Sequence, residues 1–468
     1  MMTSPASFPF VRALQQRGAR VYAVGGTVRD ELLGHPRKDL DLLVTGIPQH
    51  DLLRCLRPYG RVQLTGRAFG VIKLSPRGWD GPPIDVALPR TEISTGVGHR
   101  DFAVTFDHTL PVETDLGRRD FTINAMAIDL ADGRLLDPFG GYGDLQQHLL
   151  RQVSMLAFPE DPLRMLRGIQ LAARFELHIE PVTRDAMRLH AATITTVAPE
   201  RIAEELRKLL QARAPSHGFV AMHEVGLLVH VFPELARLAD GLATPQGEKS
   251  PAQTASLGET FTRTMRRLDV LQQCERLSYR GNLDLLWAAL LCDSGLSVTP
   301  PTGTGAQPLA QASACLARQR LEALKITTIS VDPALITTLI AQSAFEVSAL
   351  ATPAALRHFA HDVGLTAAFM LFELRLADQL GQQPSQPIDD LLDLRQRLRL
   401  EIDQRAPLSL PELAVNGHDL QRLGIAAGPR LGQILQTLLY HVLDDPAQNT
   451  RARLLAIAQA ESALPLHP

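Results

Sequence analysis

The sequence predicts an α+β protein: a mixed-sheet head at the N-terminus followed by a long, all-helical remainder. Three observations predict it. Up to about residue 136, short runs rich in Val, Leu and Ile alternate with Gly and Pro, as strands joined by tight turns require. Beyond that point apolar residues recur at helical spacing, over residues 162–173, 200–211, 283–291 and 367–380. At 468 residues the chain is also too long for one hydrophobic core, so the change of period reads as a division between structural units.

The first strand is expected at residues 21–24, closed by Gly25-Gly26 and followed by a short helix to Leu33. Glycines at that turn let backbone N–H groups come close to an anion, and Arg29 adds a fork-shaped cation. A second strand is expected at 40–44. Residues two apart on a strand point the same way, so Asp39 and Asp41 can share a hard divalent cation while Leu40 turns to the core. Further strands are expected at 71–74, 84–88 and 125–129. Asp85 is a carboxylate in an otherwise apolar strand, a third candidate ligand for a divalent cation. Arg118-Arg119-Asp120-Phe121-Thr122-Ile123-Asn124 then sets cations beside a carboxylate and an amide, suited to triphosphate oxygens and ribose hydroxyls.

The helix expected from Pro162 has Asp161 near its cap, with Arg164 three residues on. On one face, an acceptor-only carboxylate and a donor-only guanidinium can present an edge complementary to cytosine and adenine. Each piece also has an ordinary reading. A Gly-Gly pair is commonly just a turn, alternating aspartates a solvated strand edge, and an i,i+3 pair a surface salt bridge.

In combination, GGTVRDELLG followed by DLD, then IDVALPRTE, RRDFTINA, EDPLR and ERIAEE, resemble the polymerase-β-type nucleotidyltransferases, specifically the class II bacterial tRNA CCA-adding enzyme and poly(A) polymerase family. The resemblance implies a head at residues 1–135, a nucleotide-selecting neck at 136–212, a helical body at 213–405 and a tail at 406–468. It implies catalysis and metal binding, with Mg2+ as the cofactor, at Asp39, Asp41 and Asp85. Nucleotide contacts are implied at Gly25, Gly26, Arg29, Arg119, Asp120, Asn124, Asp161, Arg164, Arg167 and Arg201. The implied reaction is attack of a tRNA 3′-hydroxyl on the α-phosphate of CTP or ATP, adding CCA, CC or A; the alternative is poly(A) synthesis on RNA 3′ ends. The segment from Arg90 to Gly117, with His99 in it, stands where the family has a mobile loop.

The body carries LLWAALLCDSGL, which resembles the LLHDIGK segment of metal-dependent HD phosphohydrolases, with Cys292 in place of the histidine. Phe261-Thr262-Arg263-Thr264-Met265 also lacks the histidine expected upstream, so a degenerate, non-hydrolytic HD-like domain is implied. His361-Asp362 is expected to be a surface pair. Residues 241–258 and 297–311, rich in Pro, Gly and Thr, are expected to be loops. In the tail, Asn416-Gly417 punctuates short helices, and the Gly424-Ile425 and Gly428-Pro429 turns could either cap helices or meet phosphate.

With 47 basic and 50 acidic residues the net charge is −3, so an RNA partner must be met by a local basic face. The four cysteines lie far apart without zinc-ligand spacing, which fits a reducing cytoplasm. No apolar run reaches membrane-spanning length, and no membrane partner is expected. A homo-oligomer is compatible with the sequence but not legible in it.

Overall fold

The structure, a computed structural model, describes residues 5–35, 39–65, 70–94, 102–241, 251–298, 305–382, 388–404 and 406–463. The chain divides into two compact units, Met1–Val231 and Phe232–Pro468, so the first continues past residues 135 and 212.

In the first unit a mixed sheet is built from β1 (Arg20–Val24), β2 (Asp41–Thr45), β3 (Gly60–Thr65), β4 (Val71–Pro76) and β5 (Ile84–Ala87), with two later strands. Between them stand β6 (Arg90–Ser94) and β7 (Phe102–Phe106), an antiparallel pair outside the sheet. β8 (Ala127–Asp129) and β9 (Leu135–Leu136) complete the order β3-β4-β5-β2-β1-β8-β9. Within this sheet β2 and β5 run parallel, and the other pairs of neighbours are antiparallel. Helices Pro9–Gln15 and Gln49–Leu56 bury Phe10, Leu14, Leu52 and Leu56. Tyr22, Val24, Leu43, Ala125 and Ala127 form a second core with Val112 and Leu116. Leu43 shares a strand face with Asp41, so the predicted carboxylate stands at the rim of this core.

In the segment 90–117 the arms pair as β6 and β7, and residues Val112–Gly117 form a helix; residues 95–101, His99 among them, lie outside the described residues. The neck helices Leu163–Phe175 and Pro199–Leu210 pack together, burying Leu166, Ile169, Leu206 and Leu209. Gly168 is required by close approach: a Cβ there would stand 2.5 Å from the ring of Phe121, in the RRDFTINA segment, and 2.7 Å from Met187. Phe121 itself is fully buried.

The second unit is helical. Helix Leu283–Leu291 buries Leu285 through Leu291 completely, as a helix apolar on every side must. Part of each expected loop is helix instead. Helix Pro251–Gln273 starts inside the 241–258 stretch and helix Ala306–Ala323 inside 297–311; residues 242–250 and 299–304 lie outside the described residues. Composition misled here because Pro251 occupies the first helical position, where proline is favoured, and the turns beyond it bury Leu257, Phe261 and Met265. The tail has its own core around Leu420, Leu438, Leu443 and Leu454. Asn416 and Asp419 form a reciprocal capping box, and Gly424 N–H donates to Gln421 O, so that turn caps a helix. His361 is no surface pair: it sits between Leu408 O (2.9 Å) and Gln436 (3.1 Å), beside the Tyr440 ring.

Candidate active site

β1 ends at Gly25, where the chain turns with φ +68°, a conformation that favours glycine, and enters helix Gly26–Leu32. The turn is also close to another chain segment: a Cβ on Gly25 would lie 2.3 Å from Arg119 Nη1. Arg119 is held from behind by Asp115, whose side chain is buried and which also binds Arg118 (3.3 and 2.8 Å). Its Nη1 donates to Asn124 O at 3.4 Å, whereas its buried Nε has no acceptor among the described residues. A guanidinium fixed at a glycine turn with an orphaned donor is suited to an anionic ligand.

Asp41 begins β2 and lies directly opposite Asp85 in the parallel register of β5. The two therefore share a sheet face. Burial pushes the Asp41 carboxyl above the usual carboxylate range; Arg119 pulls it down, Asp85 and Asp39 push it up again, and Lys73 pulls it down. Asp39 lies before the strand, exposed, and Leu40 is half-buried. Thr27 ties this segment to the glycine turn, its hydroxyl accepting from Asp41 N–H (3.0 Å) and donating to Asp39 O (3.3 Å). Asp85 is paired with Lys73, whose Nζ stands 2.8 and 3.2 Å from its two oxygens.

Among the described residues no three carboxylate, histidine or cysteine side chains converge closely enough to enclose an ion. The donor set nonetheless fits a small divalent cation. Mg2+ is typically held by one or two carboxylates together with substrate phosphates and waters rather than by an all-protein cage. Asp41 and Asp85, beside the Gly25 turn and Arg119, would supply the protein's part of such a shell.

Three predicted contact residues have protein partners of their own. Arg29, 5% exposed, donates to Asp30 (2.9 and 2.6 Å) and to Asn124 Oδ1 (2.6 Å), and stacks on Phe175 at 4.3 Å. Burial works against its charge and Asp30 offsets this. Asn124 Nδ2 in turn donates to Asp120 Oδ1 (3.1 Å), and Asp120 pairs with Arg167 of the neck helix (3.3 Å). Arg29, Asn124 and Asp120 thus form a buried polar chain from the glycine turn to the neck. Desolvation acts to raise the Asp120 pKa, but Arg167, Asn124 and the Phe121 N–H hold it below the usual range.

Asp161 and Arg164 do not act as an i,i+3 pair, because Asp161 is extended (φ −141°, ψ 98°) and the helix begins at Leu163. Asp161 pairs with Arg201 (2.8 Å) and accepts from Leu163 N–H (3.2 Å). Arg164 donates to Arg118 O (2.9 Å), Ala157 O and Glu160 (both 3.3 Å). Glu204 holds Arg207, as a supporting carboxylate would. Thr27, Lys73 and Asp115 were missed by the sequence reading. Asp115 was findable, being three and four residues before the paired arginines, and Lys73 stood out as a charge in an apolar strand.

In the second unit, Asp293 and Asp378 converge on two guanidinium groups instead of imidazoles. Arg267 reaches Asp293 at 2.5 Å and Asp378 at 3.2 Å, and Arg263 reaches them at 3.1 and 3.5 Å. Burial pushes the neighbouring Cys292 thiol up, leaving it neutral. Burial opposes the charge of Asp293, yet Arg267 and Arg263 hold its pKa down at about 2. A depressed carboxyl contributes stability above its unfolded value, near 3.8, which is lost as pH falls through the folded value. Stability of this unit is therefore expected to drop between about pH 4 and pH 2. Acid unfolding followed by Trp287 fluorescence in a Trp79→Phe background checks this, and Asp293→Asn should flatten that part of the curve.

Three family descriptions match the chain: the poly A polymerase head domain over residues 21–151, the probable RNA and SrmB-binding site of polymerase A over 176–238, and the putative tRNA nucleotidyltransferase domain 2 over 336–458. In these three regions the chain is similar to tRNA nucleotidyltransferases and poly(A) polymerases. It is 39% identical over 289 residues to the multifunctional CCA protein of Pasteurella multocida, covering 60% of this chain and 64% of that one. With the protein of the same name from Alkalilimnicola ehrlichii it shares 40% over 286 residues, 60% of this chain and 63% of the relative. The matched region spans less than two thirds of these relatives' length. Among solved structures, the Bacillus stearothermophilus CCA-adding enzyme in complex with CTP superposes with a TM-score of 0.69 at 24% identity, over 98% of both chains. The Thermotoga maritima CCA-adding enzyme complexed with tRNA-CCA gives 0.58 at 24%, over 98% of this chain and 96% of that one. The fold of these two enzymes, with its mixed-sheet head, extends over this chain.

Proposed function

We propose that this chain is a template-independent tRNA nucleotidyltransferase that extends tRNA 3′ ends with CCA, or with its CC or A part, from CTP and ATP, releasing pyrophosphate. The observation that carries this reading is the cross-strand pair Asp41 and Asp85 beside the Gly25 turn and Arg119. That juxtaposition puts carboxylates for a cation next to donors for a triphosphate. Mg2+, held by Asp41 and Asp85 with Asp39, would supply charge neutralisation and a more acidic attacking hydroxyl. The chain's own residues bind and orient: Gly25, Gly26 and Arg119 take triphosphate oxygens, while Arg29, Asn124 and Asp120 hold the turn against the neck.

Residues 1–135 are assigned to chemistry and 136–212 to nucleotide choice, acting in the cytoplasm. Selection falls to Asp161 with Arg201, a hydrogen-bonded pair whose acceptor and donors together match the amino group and ring nitrogen of cytosine and adenine. Asp161→Ala and Arg201→Ala should each relax discrimination against UTP and GTP by about tenfold or more, the worth of one lost hydrogen-bonded contact of about 1.5 kcal/mol. Competition assays with mixed triphosphates read this; unchanged selectivity in both variants would remove the pair from base choice.

The names of the curated relatives support CCA addition over poly(A) synthesis. Offering ATP with an unstructured RNA and with a tRNA ending in CC separates the two. The proposed function predicts at most a single A on the tRNA, and long tails on both substrates would replace it with poly(A) polymerase.

A further inference from the structure

Lys73 was assigned no role by the sequence pattern, yet it completes a row. On β4 it lies directly opposite Asp85, and Asp85 lies directly opposite Asp41, so Lys73, Asp85 and Asp41 stand side by side across three strands on one sheet face. The ordinary reading is a cross-strand ion pair, worth a few tenths of a kcal/mol to one. Three features go beyond it. The ammonium engages both oxygens of Asp85, at 2.8 and 3.2 Å, which are the atoms a divalent cation would ligate. With the ammonium held across both oxygens, a metal ion on the same carboxylate meets a positive charge a few ångströms away and is bound more weakly. The two side chains are also 37% and 35% exposed, so the pair can open without stranding a buried charge. Finally, lysine is a point charge on a flexible stem, able to leave one anion for another, where an arginine fork would be held in place.

The geometry points to Lys73 as an exchangeable counter-ion that competes with divalent metal for Asp85 and so couples metal loading to the arrival of the nucleotide. This rests on the reading of Asp41 and Asp85 as metal ligands. Without a triphosphate, the lysine neutralises Asp85 and metal binding is weak. A triphosphate brings its own negative charge, which both attracts the metal and offers the ammonium another partner. Lys73 is thereby a positioning residue for the site.

The test is Mn2+ binding to the full chain followed by electron paramagnetic resonance, with and without a non-transferable CTP analogue. Lys73→Met should bind Mn2+ alone about fivefold or more tightly than the parent, since a positive charge beside the site is gone. The extra affinity conferred by the nucleotide should shrink, and Lys73→Arg, whose fork stays on Asp85, should bind Mn2+ no more tightly than the parent with or without the nucleotide. A purely structural lysine would give the opposite sign, because disordering Asp85 weakens metal binding; unchanged or weaker Mn2+ binding in Lys73→Met overturns the proposal. Asp41→Asn serves as the separate control. If it leaves Mn2+ binding intact, the metal-site reading itself fails; if it abolishes binding while Lys73→Met changes nothing, only the counter-ion role fails.

Discussion

Asp41→Asn is expected to reduce nucleotide transfer by about a thousandfold or more while leaving thermal unfolding within a few degrees of the parent. Asp41 is the carboxylate at which the site's elements meet: opposite Asp85 in register, tied by its N–H to Thr27, and within the field of Arg119 and Lys73. Amide and carboxylate have the same shape, so packing is kept while the charge is lost. Burial and the neighbouring carboxylates already work against the charge of Asp41, which makes a neutral substitute structurally benign. Transfer assays beside circular-dichroism melts check both halves. Activity retained within tenfold would remove Asp41 from the chemistry.

Asp120→Ala should be costly in the opposite way, destabilising the first unit by about 3–5 kcal/mol, because Asp120 is 5% exposed and ends a buried chain. Removing it leaves Asn124 Nδ2 and the Phe121 N–H without their acceptor and Arg167 without its carboxylate. At about 2–4 °C per kcal/mol for a unit of this size, the melt should fall by roughly 6–20 °C. Arg167→Met should cost less, since Asn124 Nδ2 and the Phe121 N–H still donate to the Asp120 carboxylate. Equal losses in the two variants would contradict the view that the buried carboxylate is the anchor. Since the chain joins the glycine turn to the neck, residual activity of Asp120→Ala should also show a raised KM for nucleotide.

Local pattern was enough to find the elements that local physics determines. The Gly25 turn, the strand bearing Asp41, the strand bearing Asp85 and the helix following Asp161 were all legible in the sequence, because strand alternation, glycine punctuation and caps act over a few residues. Pairings made by the sheet and by tertiary packing were not. That Asp85 stands opposite Asp41 follows from a parallel register between strands more than 40 residues apart in the chain. That Arg29 is buried depends on Phe175, a neck residue lying over its guanidinium. The Asp161 partner was misjudged for a backbone reason. A face shared at i,i+3 needs both residues in the helix, and an extended Asp161 turns its carboxylate toward Arg201. The loops read from Pro, Gly and Thr content failed where burial of Leu257 and Phe261 outweighed weak local propensity.

The most direct measurement of the central claim is the product ladder from purified protein, Mg2+, labelled CTP and ATP, and three tRNAs ending at the discriminator base, at C and at CC. Growth of at least one of these ends by the C or A residues that complete CCA, stopping there and lost in Asp41→Asn, is the predicted result. No growth on any tRNA end, alongside extension of a generic RNA, would contradict it.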